Sequence, residues 1–339
     1  MRRLGTISLL VIAAMMTGAA VAQPAADFYR GKTLTLIVGY SVGGGYDTYA
    51  RVLARHMVRH LPGNPNIIVQ NMPGAGSLRA ANYLYAVAPK DGSVFGIFSR
   101  GMAMEPLIGT SATQYDSRKF TWLGSATNEV SVCALWHTSP VKNWGDMLAK
   151  PFTVGGEGSG SDPDIFSAML RNAFGVKVKT VSGYPGSNEV ALAMERGEVD
   201  GRCGWSWSSI KATRADWLAG KKVNVVVQLS LNKSPELQDV PIVTEFATTE
   251  RQRQILQLIL SRQVMGRPFT APPGIPEDRK QALRAAFDVT MADAEFRADV
   301  TSRGLEVNPV SGAEVDRLMA QLYDTPPEAI AETKAAIAN

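Results

Sequence analysis

The residues best suited to bind a ligand are three consecutive glycines: Gly43, Gly44 and Gly45. The apolar run at residues 34–38 predicts a buried strand before them, and glycine lets the backbone turn tightly because it has no Cβ. Asp47 or Thr48 is expected to cap the helix that follows. A strand, a glycine turn and a helix start together present backbone N–H groups in the positive field of the helix dipole. This arrangement predicts a site for a small carboxylate.

A second glycine-rich loop, residues 71–77, has the same surroundings. It follows a short apolar run at 67–70 and leads into a predicted helix at 78–87. A third predicted strand, residues 94–98, ends at Ser99 and Arg100. Strand, helix, strand, helix and strand with short connections predict a parallel sheet, which binds ligands at the carboxyl ends of its strands.

The layout recurs later in the chain. After two extended segments, 120–124 and 130–136, a strand at 152–155 leads to a third glycine loop, where Asp162 is expected to cap a helix that has Pro163 at its first position. Further strands are predicted at 176–181, from 199 and at 223–229, and an extended segment at 264–270. Two such sheets with facing glycine loops predict a ligand cleft between two domains.

The N-terminus has the features of a cleaved signal peptide. Arg2 and Arg3 precede an apolar run at 4–16, and Ala20-Val21-Ala22 is a cleavage site of the A-x-A kind. We therefore expect an exported, periplasmic chain that begins at Gln23. The formal charge of the full sequence is +4, and loss of the two leader arginines lowers it to +2, so charge does not favour nucleic-acid binding.

Other chemistry finds little support. His56 and His60 are four residues apart on a predicted helix, but they lack a third ligand, so no metal is expected. The glycine spacings fit neither nucleotide-binding fingerprint, and no cofactor is expected. An exported serine-type hydrolase acting on a small ester or amide is the enzymatic alternative, yet the loop serines lack Gly-x-Ser-x-Gly spacing. Cys133 and Cys203 either form one disulfide or are simply buried.

Seven short motifs, taken together in their order along the chain, resemble those of a known protein family. They are Gly43-Gly44-Gly45-Tyr46-Asp47, Asn71-Met72-Pro73-Gly74-Ala75-Gly76, Pro89-Lys90-Asp91-Gly92, Gly158-Ser159-Gly160-Ser161, Tyr184-Pro185-Gly186, Gly197-Glu198-Val199-Asp200-Gly201 and the run from Ser234 to Pro241. Over nearly all of its mature length the chain resembles the exported substrate-binding proteins of tripartite tricarboxylate transporters, including the Bordetella uptake gene family.

The resemblance implies a two-domain α/β periplasmic binding protein of type II-like fold, each domain a mostly parallel sheet flanked by helices. After a signal peptide at 1–22, domain 1 would comprise residues 23–128 and 265–339, and domain 2 residues 129–264. Two crossover strands, near 126–136 and 264–270, would form the hinge. The chain would act as a monomer without catalysis. It would deliver a di- or tricarboxylate, aromatic carboxylate or acidic amino acid to membrane permease subunits.

Family members hold carboxylates largely through backbone N–H groups, which implies ligand contacts at Gly43, Gly44, Gly74, Ala75, Gly76 and Ser77. The second domain would close on the ligand through Ser159, Ser161 and Tyr184. Neighbouring residues complete the predicted set: Gly45, Asp47, Ser99, Arg100, Asn128, Asp162 and Trp205.

Two positions have alternative interpretations. Arg100 could bind a ligand carboxylate by donating two N–H groups to it, or it could pair across the cleft with Glu129 or Asp162. Trp205 and Trp207 flank Ser206 just after a strand end. One of them is expected in the core, and the other could lie against an apolar or aromatic part of the ligand.

Overall fold

The computed structural model describes residues 24–109 and 112–338. The predicted signal peptide, residues 1–22, and its cleavage site lie outside these described residues. Within them, no helix combines the length and the apolar character needed to cross a bilayer.

The first sheet has six strands in the order β11-β4-β10-β3-β1-β2. Their bounds are β1 Thr33–Val38, β2 Asn66–Asn71, β3 Val94–Ile97, β4 Thr121–Ser125, β10 Pro268–Ala271 and β11 Val310–Ser311. β1 is parallel to β2 and β3, whereas β10 lies antiparallel between β3 and β4. The glycine loops that follow β1 and β2 therefore meet at one edge, as the strand order predicts.

Helices cover both faces of this sheet. They are α1 Ala25–Tyr29, α2 Gly45–Met57, α3 Leu78–Ala86, α4 Glu105–Ile108, α11 Glu277–Ala292, α12 Ala294–Ser302 and α13 Gly312–Tyr323. Leu36 of β1 packs into the cluster that contains α2, whereas Ile37 packs with α3 on the other face. The unbroken apolar run is thus explained by burial of the strand on both sides. We call this sheet with its helices the first lobe.

The second lobe is built on a five-stranded sheet in the order β7-β6-β8-β5-β9. Its strands are β5 Ser131–Trp136, β6 Phe152–Gly155, β7 Val178–Val181, β8 Gly201–Ser206 and β9 Val223–Leu229. Its helices are α5 Trp144–Ala149, α6 Asp162–Phe174, α7 Ser187–Glu195, α8 Trp207–Thr213, α9 Ala215–Ala219 and α10 Glu250–Leu260. The last helix, α14 Pro327–Ile337, also packs on this lobe, against α6 and α10.

The predicted fold class is confirmed: two α/β units, each a sheet flanked by helices. Both sheets are mixed, because the chain leaves the first sheet through β4 and returns through β10, which pairs antiparallel with β3 and β4. In the second sheet β6 is parallel to β7 and β8, whereas β5 is antiparallel to β8 and β9.

The two connections between the lobes run side by side. The Ala126 N–H donates to the Arg267 carbonyl oxygen at 3.1 Å, and the Glu129 N–H donates to the Gln263 carbonyl oxygen at 2.9 Å. The return segment is not extended throughout as predicted, because Ser261–Met265 is a 3₁₀ turn before β10 begins at Pro268. A paired double connection of this kind lets the lobes rotate without separating.

Both predicted helix caps were wrong by a few residues. α2 begins at Gly45 with Gly44 as its N-cap, and α6 begins at Asp162 with Ser161 as its N-cap. The extended backbone that an N-cap requires lies at Gly44, before the carboxylate of Asp47, which instead folds back onto the loop.

Cys133 and Cys203 form a disulfide, one of the two alternatives left open by the sequence. They are paired residues on the antiparallel neighbours β5 and β8, and both are fully buried. The bridge therefore joins the strand that leaves the hinge to the strand that carries Arg202 and Trp205.

His56 and His60, the pair considered for metal binding, bond to acidic residues of α12 and its N-cap. His56 Nε2 lies 3.0 Å from Asp299 Oδ2, and His60 Nε2 lies 2.8 Å from Asp293 Oδ2. The hydrogen bond from His60 lowers the pKa of Asp293 to about 2. Burial opposes ionisation of Asp299, but hydrogen bonds from Arg55, His56 and Arg303 outweigh it and lower its pKa below the usual range.

We expect acid to weaken the contact between α2 and α12 over a defined range of pH. Because both folded-state pKa values lie below the unfolded value of 3.8, the stabilisation is complete above about pH 4 and is lost as the pH falls toward about 2. Urea unfolding at a series of pH values should show a smaller acid-induced loss in Asp299→Asn than in the native chain. Asp324→Asn, at an exposed position, should keep the native slope; equal slopes in all three proteins would contradict the assignment.

Candidate functional site

A cavity lies between the two lobes at the edge where their loops meet. It is lined by Tyr40, Gly44, Gly45, Tyr46, Ser99, Glu157, Asp162, Pro163, Ser187, Arg202, Gly204, Trp205, Ser206, Ser209 and Arg267. Five of the predicted contacts are in this lining: Gly44, Gly45, Ser99, Asp162 and Trp205.

The first glycine loop forms one wall of the cavity. Its conformation is held by Asp47, whose carboxylate accepts from the Gly43 N–H at 2.8 Å, from Arg51 Nε at 2.9 Å and from Asn71 Nδ2 at 2.9 Å. Burial would raise the pKa of Asp47, but these hydrogen bonds outweigh it and lower the pKa. Gly43 and Asp47 thus shape the loop from behind, while Gly44 and Gly45 face the cavity.

The second glycine loop touches the opposite lobe and is not in the cavity lining. The Gly76 N–H donates to the Glu157 carbonyl oxygen at 2.8 Å. The Ser77 hydroxyl donates to the Gly39 carbonyl oxygen at 3.1 Å and accepts from the Ser99 N–H at 3.1 Å. Ala75 and Gly76 thus form part of the contact between the lobes, whereas Gly74 lies beside Arg79 and Ser77 bonds within the first lobe.

Arg100 pairs with Asp162 across the cleft. This is the second of the two alternatives given above, an ion pair with an acid and not a contact with the ligand. Its Nε donates to Asp162 Oδ2 at 2.6 Å, and its Nη2 donates to Ser131 Oγ at 2.7 Å. The side chain of Arg100 is 1% exposed. Asp162 also lies 3.5 Å from Nη1 of Arg262, so one carboxylate of the second lobe bridges two arginines.

Sequence reasoning missed three charged residues of the cavity: Glu157, Arg202 and Arg267. Arg202 Nη1 donates to Glu157 Oε1 at 2.6 Å, and Arg267 Nη2 lies 3.0 Å from the Glu129 carboxylate. Arg267 also donates to Ser206 and Ser209. A usable signal existed, because arginine inside a segment that must be buried, such as β8, is uncommon without a special partner.

Three aromatic rings complete the cavity, and two of them were also missed: Tyr40 and Tyr46. Their ring centroids are 4.9 Å apart, and the Arg267 guanidinium lies 4.5 Å from the Tyr46 ring centre. Trp205 lines the cavity and also packs edge-on against Trp217 in the core. Trp207 points elsewhere, since its indole N–H donates to Glu236.

The remaining predicted residues lie outside the cavity lining. Ser161 Oγ donates to Asp164 Oδ2 at 2.6 Å, and Ser159 lies at the Gly76 contact and bonds Glu105. The Tyr184 N–H donates to the Gly156 carbonyl oxygen at 3.0 Å. Asn128 belongs to a separate cavity beside the hinge, with Trp207 and Glu306.

The cavity has a surplus of hydrogen-bond donors. Four buried N–H groups on or beside it have no partner within the described part of the chain: Nη1 of Arg100, Nε of Arg202, Nε1 of Trp205 and Nε of Arg267. Each is a donor with no acceptor capacity, and buried polar groups are normally paired. Chemically, the site is suited to a ligand that supplies acceptor oxygens.

Comparisons with known proteins agree with this architecture. The chain is 39% identical over 303 residues to a protein of Cupriavidus necator described as "UPF0065 protein in gbd 5'region", covering 87% of this chain and 85% of that protein. No protein-family model matches.

Two solved structures share the fold. The periplasmic binding protein BugD has a TM-score of 0.74 at 21% identity, covering 91% of this chain and 98% of BugD. MatC from Rhodopseudomonas palustris, solved with bound malate, has a TM-score of 0.69 at 22% identity, covering 91% of this chain and 99% of MatC.

Proposed function

Because the chain belongs to the UPF0065 family, the Bordetella uptake gene (Bug) family of binding proteins, we propose that it captures a small carboxylate in the cleft between its lobes. It then delivers this ligand to the membrane permease subunits of a tripartite tricarboxylate-type transporter. The protein works in the periplasm as a monomer after removal of residues 1–22, and it does no chemistry on its ligand.

The observation that carries this proposal is the set of unpaired N–H donors at the cavity. A buried donor without a partner costs about 1–3 kcal/mol. Carboxylate oxygens would satisfy several such donors at once, with the charge-assisted bonds that guanidinium groups favour. A neutral sugar, with hydroxyl groups that both donate and accept, would match this one-sided set less well.

The fold neighbours support the same class of ligand. MatC was solved with malate, a dicarboxylate, and it shares with this chain a cleft-forming architecture. Gly44 and Gly45, at the start of α2, face the cavity, and N–H groups at a helix start are fixed in direction before the ligand arrives. Such fixed donors bind an anion at little ordering cost.

The proposal predicts stabilisation by a carboxylate. A panel of di- and tricarboxylates, aromatic carboxylates and acidic amino acids should contain a compound that raises Tm. At 100 times its Kd, the compound adds about 2.7 kcal/mol to the free energy of unfolding. Differential scanning fluorimetry measures the shift, and mass spectrometry after long incubation should recover the compound unchanged. Stabilisation only by neutral sugars or cations, or turnover of the bound compound, would contradict the proposal.

A further inference from the structure

We propose that the ligand of this cleft is a zwitterion, with a carboxylate held by the first lobe and the hinge and a cationic amino group held by the second lobe. The inference rests on the proposed function, since it names the ligand class of the same cavity. It is carried by the arrangement of buried charges on the two walls.

The walls of the cleft differ in charge. From the first lobe and the hinge, the charged side chain that lines the cavity is Arg267. The second lobe supplies two acids, Glu157 and Asp162, with one cation, Arg202. One wall therefore has an excess of positive charge and the other an excess of negative charge. A ligand with charges of both signs has a favoured orientation between them.

The cleft is also neutral as a whole. The charged side chains that line the cavity are two arginines and two acids: Arg202, Arg267, Glu157 and Asp162. A di- or tricarboxylate would bring two or three negative charges into this desolvated space with no cation left over to balance them. Burying an uncompensated charge is costly, whereas a zwitterion adds no net charge.

Specific atoms are available for both ends of such a ligand. The carboxylate would accept from the unpaired N–H groups of Arg100 and Arg267. The amino group would donate to Glu157, whose side chain takes one hydrogen bond among the described residues, from Arg202. A carboxylate has about four acceptor positions, so Glu157 retains capacity. Burial raises the pKa of Glu157, and the pair with Arg202 offsets this rise only in part.

Matched compounds test the inference. One set is 4-aminobutyrate, butyrate and glutarate; the other is phenylalanine, 3-phenylpropanoate and benzylmalonate. In each set the second compound lacks the amino group and the third has a carboxylate in its place. Titration calorimetry should show the amino compound of at least one set binding about tenfold or more tightly than both analogues, about 1.4 kcal/mol.

The outcomes separate this inference from the proposed function. Equal or tighter binding of the deaminated acid or the diacid in every set that binds would overturn the zwitterion and leave the carboxylate receptor standing. Absence of binding by all six compounds, together with no stabilisation by the wider carboxylate panel, would overturn both.

Glu157 is the specificity-determining residue in this scheme. Glu157→Gln keeps an acceptor for Arg202 but removes the charge, so the preference for the amino compound should fall to about threefold or less. The double variant Glu157→Met/Arg202→Met removes both charges and should lose the preference as well. Glu198→Gln, at an exposed position of the same lobe, should keep it. A purely structural role for Glu157 would weaken all three compounds equally and overturn the assignment.

Discussion

Replacing Gly76 with valine is expected to prevent closure of the lobes and to weaken ligand binding at least a hundredfold, about 2.8 kcal/mol. Gly76 has φ +61°, and a Cβ at this position would lie 2.8 Å from the Gly158 carbonyl oxygen and 2.9 Å from that of Ser159. These atoms are backbone of the opposite lobe and cannot move aside as a flexible side chain would. The same approach places the Gly76 N–H on the Glu157 carbonyl oxygen, a bond that an open cleft loses.

Small-angle scattering with the carboxylate that stabilises the native chain measures this effect. The native protein should contract on binding, and Gly76→Val should not. Gly197→Val is the matched control, because Gly197 has φ +72° with no heavy atom within 4 Å of an added Cβ. It has similar backbone strain without the clash. Contraction of Gly76→Val to the native radius would show that this loop contact is dispensable for closure.

Replacing Arg267 with methionine is expected to lower the free energy of unfolding by about 3–5 kcal/mol, because it leaves a buried carboxylate without its cation. Arg267 and Glu129 are 1% and 2% exposed, and their side chains lie 3.0 Å apart. Arg267 also donates to Ser206 and Ser209 of the second lobe, so the variant leaves further polar groups unpaired at the hinge.

Urea unfolding at neutral pH measures the loss. Arg253→Met is the control, since Arg253 pairs with Glu250 on the surface at 54% and 69% exposure, and such pairs contribute about 0.2–1 kcal/mol. Adding Glu129→Gln to Arg267→Met should restore part of the stability, because it removes the unpaired charge of the Glu129 carboxylate. Equal losses for Arg267→Met and Arg253→Met would mean that water reaches Glu129.

The backbone of the site could be predicted from sequence because it depends on neighbours in the chain. The apolar run before Gly39 is sufficient to predict β1, found at Thr33–Val38, and the glycines after it predict a turn into a helix. The helix caps show the limit of this reasoning. Gly44 and Ser161 occupy the N-cap positions of α2 and α6. The carboxylate of Asp47 bonds Gly43, Arg51 and Asn71 instead, and that of Asp162 bonds Arg100.

Side-chain partners at the cleft could not be predicted, because they are distant in sequence. Arg100 and Asp162 are 62 residues apart, Arg202 and Glu157 are 45 apart, and the two cysteines are 70 apart. Sequence composition offers many acids for each arginine, and nothing local favours one over another. Only the packing of the two lobes removes water from these groups. Once water is removed, each charged side chain needs its partner, because an unpaired buried charge is costly.

The sequence by itself determined the α/β class, the two sheets and the glycine loops at their edges, since apolar periodicity and backbone freedom are local properties. The tertiary structure alone decided that β10 returns antiparallel, that Arg100 meets Asp162 instead of Glu129, and that Gly76 contacts the opposite lobe instead of the cavity. The physical reason is desolvation: a charge or N–H group acquires a required partner only where another part of the chain has excluded water from it.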